Sequence, residues 1–153
     1  MNSRKWWGHT AEAGSAAVEA ALIMSALLLA VVGAVETARA SWTYNTMLIA
    51  VEQAGRYAMM YNHRAPAICV TQTQASQCPA FSNTPLANCS AWHAQQVLAA
   101  YGAPSIDVSV AVDPTTSPAT VTICASHSFD FIAPDLLPYG PLGLMSSVTV
   151  PII

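Results

Sequence analysis

A long apolar run near the N-terminus constrains this chain more than any other feature. Residues 16–35 read AAVEAALIMSALLLAVVGAV, and one charge, Glu19, and one hydroxyl, Ser25, interrupt the run. At 1.5 Å per residue, a helix of this length extends about 30 Å, which matches the hydrocarbon core of a bilayer. The run therefore predicts one transmembrane helix.

The composition favours a membrane protein and argues against nucleic-acid binding. Only 8% of the 153 residues are charged and 54% are hydrophobic, whereas soluble domains average about 25% charged residues. The cations of the chain are few and scattered: Arg4, Lys5, Arg39, Arg56 and Arg64. Because phosphate binding relies on clustered basic side chains, we expect no nucleic-acid partner.

The charges that flank the apolar run predict its orientation. Arg4 and Lys5 precede the run, whereas Glu36 and Arg39 beyond it cancel. The positive-inside rule then places the N-terminus in the cytoplasm. We therefore expect a single-pass membrane protein whose residues after about Ala40 are exported.

Two other interpretations of the apolar run have to be weighed. A core helix of a soluble protein would need an apolar shell that the polar remainder of the chain hardly offers. A signal peptide is the second alternative, since Ala38, Arg39 and Ala40 form a small-x-small cleavage site. Against it, the run exceeds the roughly 7–15 residues that are usual for signal peptides, and Glu19 lies inside it.

All four cysteines, Cys69, Cys78, Cys89 and Cys124, follow the apolar run. An exported region suits disulfides, which form in oxidising compartments. Four cysteines allow three pairings, which the sequence does not distinguish. Free thiols and a zinc site are the alternatives, but spacings of nine, eleven and thirty-five residues lack the close pair usual in structural zinc sites. We expect two disulfides and no metal.

Hydrophobic periodicity predicts that the membrane helix continues as an amphipathic spine. Apolar residues recur at helical spacing as far as Tyr61, and Pro66 ends the helix. The apolar stripe consists of Tyr44, Met47, Leu48, Val51, Ala54, Ala58 and Met59. Glu52 and Arg56 are expected to pair on the opposite side. We expect the stripe to pack on a small exported domain.

The remaining residues predict one short helix and a small antiparallel sheet. Residues 66–90 contain three prolines and three cysteines, which favours an irregular, disulfide-held loop. Residues 90–101 predict a second helix that ends at Gly102. Period-two alternation predicts strands over residues 106–112, 120–126 with 129–132, and 147–152, with a turn at 113–118 and a Pro- and Gly-rich connection at 138–143. The predicted fold class is α+β.

No group of residues indicates an enzyme. The sequence contains no Gly-rich phosphate loop and no Gly-x-Ser-x-Gly nucleophile elbow. His63, His93 and His127 lack the spacing of metal ligands, and Asp113 before Pro114 has a sufficient role in a turn. We expect no catalysis, no cofactor and no small-molecule substrate.

The residues around Glu19 form a recognisable motif. Residues 13–19 read AGSAAVE, so cleavage after Gly14 would make Glu19 the fifth residue of the mature chain. A basic leader that ends in Gly, followed by a helix with Glu at position five, resembles the prepilin-peptidase site of type IV pilins. The stretches GSAAVEAALIMSALLLAVVGAVETARA and VEQAGRYAMMY resemble TadE-like proteins, the minor pseudopilins of tight-adherence pili, over about residues 14–61.

The resemblance implies a domain organisation and a set of partners. Residues 1–14 would be a cytoplasmic leader, residues 15–61 the transmembrane helix with its exported continuation, and residues 62–153 a disulfide-stapled periplasmic domain. The protein would lie in the bacterial inner membrane, be cut between Gly14 and Ser15 by a prepilin peptidase, and contact other pilins and pilus assembly proteins. Its role would be in pilus biogenesis, adhesion or secretion. Many pilins carry an aromatic residue at position one or six, and Ala20 at position six argues against a major subunit.

Glu19 and a set of small residues are the candidate contact residues in the membrane. The resemblance implies that Glu19 neutralises the N-terminal amine of a neighbouring subunit, and the alternative is that it reaches the interface unpaired. Small residues allow close helix packing in a bilayer, although an Ala-rich run also produces such rows by chance. The candidates are Ala26, Ala30, Gly33, Ala34, Thr37 and Ala38.

Three functions predict three different mature N-termini. A pseudopilin would begin at Ser15. A secreted binding domain, released after Ala40, would begin at Ser41. A periplasmic domain with an unprocessed membrane anchor would retain Met1.

Overall fold

The computed structural model describes residues 9–69, 78, 81–103, 106–132 and 140–152. Its elements, in chain order, are helix α1 (His9–Tyr61), a 3-10 turn (Asn62–Arg64), helix α2 (Pro85–Ala100), and strands β1 (Asp107–Asp113), β2 (Ala119–Phe129) and β3 (Leu142–Ile152). The strands form one antiparallel sheet in the order β1-β2-β3. The α+β fold class is therefore confirmed.

Helix α1 is the long apolar helix that the sequence predicts. It is helical from the first described residue, His9, through the predicted start at Ser15, and it ends at Tyr61 as predicted. Asn62 follows with a positive φ of 41°, a conformation that few residues other than Gly adopt, and Pro66 lies just beyond. By its internal contacts the chain divides into two compact units, Met1–Arg39 and Ala40–Ile153, so α1 contributes residues to both.

Within the unit Ala40–Ile153, the second part of α1 contributes to one hydrophobic core with α2 and the sheet. Its buried residues are Met47, Ala50, Val51, Ala54 and Ala58. The opposing strands supply buried valine and isoleucine side chains. The predicted stripe is correct at its centre and wrong at its ends, since Tyr44 and Met59 are exposed.

Gly55 brings α1 close to the sheet. A Cβ atom on this residue would lie 3.4 Å from Cγ1 of both Val148 and Val150. Glycine therefore removes the side chain at the point where helix and sheet approach most closely.

Helix α2 begins five residues earlier than the sequence predicts. The Thr84 hydroxyl accepts a hydrogen bond from the Ala87 amide at 3.2 Å, and Pro85 occupies the first turn. Both features start helices, since the hydroxyl satisfies a free amide and proline has none to satisfy. The last part of the predicted loop 66–90 is thus helical. Gly102, with φ of 74°, follows the helix as expected.

The strands match the prediction in number and differ in extent. Strand β1 lies where the alternation predicts it. Strand β2 is continuous to Phe129 and stops there, so the predicted strand 129–132 does not form. Strand β3 starts at Leu142, five residues before the predicted start, because residues 142–146 pair with 125–129 of β2. Part of the predicted connection, residues 138–139, lies outside the described residues.

Two disulfides attach the segment between α1 and α2, through Cys69 and Cys78, and the prediction of two disulfides is confirmed. Cys69 pairs with Cys89 of α2. Cys78 pairs with Cys124 of β2, which is 1% exposed. One bridge thus ties the segment to the helix and the other ties it to the sheet.

The turn between β1 and β2 is closed by Asp113. Its carboxylate accepts hydrogen bonds from the Thr115 amide at 2.9 Å and the Thr115 hydroxyl at 2.6 Å. These hydrogen bonds lower the pKa of Asp113, the hydroxyl contributing most. The turn role predicted for Asp113 is confirmed.

Candidate functional site

The first part of α1 presents large apolar side chains to its surroundings. Leu22 is 67% exposed, and Ile23, Leu28 and Val35 are likewise exposed. This helix is long and apolar enough to cross a membrane, and none of its most apolar window is buried within the protein. A soluble protein rarely leaves so large an apolar surface uncovered. The predicted transmembrane helix therefore has the length, composition and exposure that a bilayer requires.

The hydroxyl side chains within this segment bond to the backbone of their own helix. Ser25 Oγ donates to the Leu22 carbonyl at 2.8 Å, and Thr37 Oγ1 donates to the Gly33 carbonyl at 2.8 Å. A hydroxyl without a partner is costly in hydrocarbon, since no water can bond to it. These two side chains thus suit a lipid environment.

Gly14, Ser15 and Glu19 all lie on α1 with exposed surfaces. A Cβ atom on Gly14 would meet no atom within 4 Å. The candidate processing junction is therefore sterically open. The basic residues Arg4 and Lys5, and with them most of the candidate leader, lie outside the described residues.

Glu19 shares one stripe of the helix with several of the small residues. At 100° per residue, Ser15, Glu19 and Ala26 lie within about 40° of one another around the axis, and with the later positions the stripe is about 60° wide. The large apolar residues Leu22 and Ile23 border the stripe. Its members are Ser15, Glu19, Ala26, Ala30, Gly33 and Thr37. Ala34 and Ala38 rotate progressively away from it, because a row of residues four apart drifts by about 40° per step.

Beyond the apolar run, Glu36 is buried and forms an ion pair with Arg39. Its carboxylate lies 2.8 Å from Arg39 Nη1, and its side chain is only 4% exposed. The sequence suggested that these two charges cancel, and the ion pair bears this out. The other predicted pair, Glu52 with Arg56, does not form between these two described residues; both are exposed, where such a pair gains little.

An aromatic cluster, formed by Tyr57, Tyr61, Trp92 and His93, joins α1 to α2. The Tyr57 ring stacks on Tyr61 at 4.4 Å and lies 4.9 Å from the His93 ring, and Trp92 contacts His93 edge-on. A shallow cavity of about 420 Å³ lies beside these rings. Sequence reasoning missed this cluster, because its members come from helices about thirty residues apart and no motif connects them.

The described residues contain no group of three His, Cys, Asp or Glu side chains that could hold a metal ion. His93 lies within the aromatic cluster, and His127 belongs to β2. The side chain of His63 lies outside the described residues.

Comparison with known proteins gives one match. The sequence model of the TadE-like protein family matches residues 14–56. The match begins at the candidate processing glycine and continues through the apolar run into the packed part of α1. Neither the curated proteins nor the solved structures contain a match to the chain. The resemblance first seen in the sequence is confirmed over these residues, and residues 14–56 are similar to the TadE-like family.

Proposed function

We propose that this chain acts as a minor pseudopilin in the assembly of a tight-adherence (Flp-type) pilus or a related secretion machine. It works without catalysis, through helix packing in the membrane and protein contacts outside it. Residues 15–35 lie in the bacterial inner membrane, the N-terminus faces the cytoplasm, and the disulfide-bonded residues 62–153 face the periplasm. Prepilin peptidase removes residues 1–14.

The observation that carries this proposal is that three features follow one another at the expected spacing along one helix. Gly14 lies where the TadE-like match begins, Glu19 follows five residues later, and the apolar side chains beyond it are exposed. A general membrane anchor requires only the last of these features. The position of Glu19 favours a processed subunit that meets other subunits.

Glu19 is expensive in the membrane unless it has a partner. A carboxylate within a span costs about 2 kcal/mol or more to insert. Cleavage creates an ammonium group at Ser15, and opposite charges attract far more strongly in a low dielectric than in water. We infer that Glu19 of one subunit pairs with the Ser15 ammonium of its neighbour. The small residues on the same stripe let the two helices approach closely.

A secreted domain is the second candidate function. The boundary between the two compact units falls between Arg39 and Ala40, within the small-x-small sequence of residues 38–40. All core residues of α1, from Met47 onward, follow that boundary. Cleavage after Ala40 would therefore release a domain with its core complete.

The mature N-terminus separates these functions. The full chain is expressed in bacteria with and without prepilin peptidase, and its intact mass is measured from membranes and from the periplasm. We expect a membrane-bound protein that begins at Ser15 only when the peptidase is present. A soluble protein that begins at Ser41 would establish the secreted domain, and an unchanged Met1 would establish a simple anchor.

Two glycines provide a matched test of processing. A Cβ atom on Gly14 or on Gly33 would meet no atom within 4 Å, so a side chain at either place meets no obstacle among the described residues. We expect Gly14→Leu to remain at full length and Gly33→Leu to be cleaved normally. Normal cleavage of Gly14→Leu would contradict the proposed junction.

Two acidic residues provide a matched test of assembly. Glu19→Ala should insert at least as well as the unmodified chain but no longer assemble with other pilins, because the subunit ammonium loses its partner. Glu52, an exposed acid on the later part of the same helix, serves as the control, and Glu52→Ala should assemble normally. Co-purification with pilus proteins and counts of pili provide the readout, and normal assembly of Glu19→Ala would reject the pairing.

A further inference from the structure

The outer edge of strand β3 is open. Strand β3 pairs with β2 along its whole length, Leu142–Ile152, and is the last strand of the sheet. None of its residues takes part in a hydrogen bond outside that ladder or the Thr122–Thr149 hydroxyl contact on the sheet face. Every second backbone amide and carbonyl of β3 therefore points away from the sheet without a partner among the residues that the structure describes.

The opposite edge of the sheet is covered. The Ser82 amide donates to the Val110 carbonyl at 2.9 Å, and the Val112 amide donates to Ser82 Oγ at 2.8 Å. The segment before α2 thus satisfies part of the outer edge of β1. Within the described part of the chain, the outer edge of β1 is partly hydrogen-bonded, whereas the outer edge of β3 carries no such bonds.

Strand β3 also lacks the features that usually protect an edge. Its eleven residues, LGLMSSVTVPI, include no charged side chain, whereas natural edge strands commonly carry lysine or an inward-pointing charge. Pro151 is compatible with an edge position but lies one residue from the end of the strand. A long, uncharged and regular edge of this kind is a template for pairing with another strand.

We propose that β3 pairs antiparallel with β3 of a second copy of this chain, which joins the two three-stranded sheets into one. An uncharged strand meets its own copy without the repulsion that opposed like charges would cause. Antiparallel pairing about a two-fold axis makes the contact self-complementary. Because the two-fold contact uses the β3 edge of both copies, the pairing closes at two copies.

The proposed pairing specifies which residues meet. With the two strands fully overlapped, Ser147 lies opposite Ser147 of the second copy, and Thr149 lies opposite Met145. Directly opposed residues in an antiparallel pair have Cα atoms about 4.5–5.5 Å apart. Met145, Ser147 and Thr149 all present exposed side chains on one face of β3, so none has to leave the core to make this contact.

The edge of one strand is a small interface. Stable complexes bury about 800 Å² per partner, which exceeds what a single strand edge of this length provides. We therefore expect pairing to be weak in dilute detergent and to be captured best in the membrane, where the copies are concentrated. Cleavage after Gly14 is not required, so failure of this proposal leaves the proposed function untouched.

Cysteine cross-linking of the full chain in bacterial membranes tests the pairing. Ser147→Cys is treated with a short bifunctional thiol reagent, and Gln95→Cys, an exposed position on α2, is the control. We expect a cross-linked homodimer of Ser147→Cys in about tenfold excess over the control, because a formed pair holds its two thiols within reach. Equal yields, or a cross-link only to a different protein, would overturn the proposal.

A second pair of variants tests the register. Chains carrying Met145→Cys and Thr149→Cys, with different tags, are expressed together and should cross-link to each other more than each does to itself. Adding Ser147→Lys to both should abolish this cross-link, because two lysines would face each other at the axis. The mass of each variant under non-reducing conditions confirms that both native disulfides are intact. A cross-link that survives Ser147→Lys would contradict the pairing.

Discussion

Two stretches of α1 both contain repeated small residues and differ in what surrounds them. Residues 14–35 and residues 46–58 are both rich in Ala, and each contains one interior glycine, Gly33 and Gly55 respectively. In the first stretch, Leu22 is 67% exposed; in the second, Met47 is 0% exposed. A Cβ on Gly33 would meet no atom within 4 Å, whereas one on Gly55 would meet the sheet at 3.4 Å.

Small residues in this helix therefore have different surroundings in the two stretches. In residues 46–58 they bring the helix close to its own sheet. In residues 14–35 the small side chains are exposed and can contact another molecule, either lipid or a second helix. Substitutions in the two stretches should therefore affect different measurements, the first stretch changing association and the second changing folding.

The largest expected effect concerns the disulfides, which stabilise residues 40–153 only. The Cys78–Cys124 bridge closes a separation of 46 residues and Cys69–Cys89 one of 20, and the loop-entropy relation gives about 4 and about 3 kcal/mol, respectively. We expect Cys78→Ser/Cys124→Ser to lower the free energy of unfolding more than Cys69→Ser/Cys89→Ser does. Chemical unfolding in detergent, followed by Trp fluorescence, measures both variants. Equal losses of unfolding free energy from the two double variants, or loss of the apolar helix as well, would contradict this prediction.

A matched pair of truncations tests the two stretches directly. Met47→Ala leaves a cavity in the core and should cost about 2–5 kcal/mol of unfolding free energy. Leu27→Ala, at a side chain that is 55% exposed, should leave the unfolding midpoint unchanged. Similar losses from both variants would mean that residues 14–35 also pack against protein.

The two glycines give the next effect in size. Gly55→Leu has to displace Val148 and Val150, and overpacking of this kind costs about 1–3 kcal/mol. Gly33→Leu meets no such neighbours and should unfold as the unmodified chain does. Unfolding curves of the two variants, recorded under one condition, measure this difference. A Gly55→Leu variant as stable as the unmodified chain would show that the helix is free to move away from the sheet.

A smaller effect is expected in membrane association. Ala30→Leu places a large side chain on the stripe of Glu19 and should weaken helix contacts by about 1 kcal/mol. Ala21→Leu, which lies on the opposite side of the helix, should have no effect. Energy transfer between labelled copies in vesicles measures this difference. An equal effect of both variants would contradict a role of the stripe in helix contacts.

The smallest effect concerns the surface turn, which is distant from both stretches of α1 in sequence. Because Thr115 lowers the folded-state pKa of Asp113, the ionised carboxylate stabilises the fold above the unfolded pKa, and this contribution is lost as the pH falls through the folded value. Thr115→Val should raise the pKa of Asp113 toward 3.8 and reduce the acid-dependent part of the stability. An NMR titration of the Asp113 carboxyl measures the shift, and an unchanged pKa would contradict the assigned cause.

The sequence predicted those elements whose signals are local. The apolar run and the helical spacing up to Tyr61 defined α1, and the alternation around Val110 defined β1, because burial imposes these periods directly. The start of α2 was missed although Thr84 and Pro85 carried a helix-start signal, since the prolines and cysteines nearby favoured a loop.

The remaining features depend on contacts between distant residues. The Cys78–Cys124 pairing, the tilted contact between the Tyr57 and His93 rings and the early start of β3 each join positions far apart in the chain. No local pattern encodes these partners. Among the candidate site residues, Glu19 and the processing junction could be found because a motif places them at a fixed spacing.

The accessibility of the first stretch of α1 in native membranes shows whether this stretch spans the bilayer. Leu28→Cys and Gln53→Cys, both at exposed positions of α1, are each treated with a membrane-impermeant thiol reagent from the periplasmic side. We expect rapid labelling of Gln53→Cys and almost none of Leu28→Cys, because lipid covers residue 28 while residue 53 faces water. Labelling of Leu28→Cys as fast as that of Gln53→Cys would contradict a membrane-spanning segment.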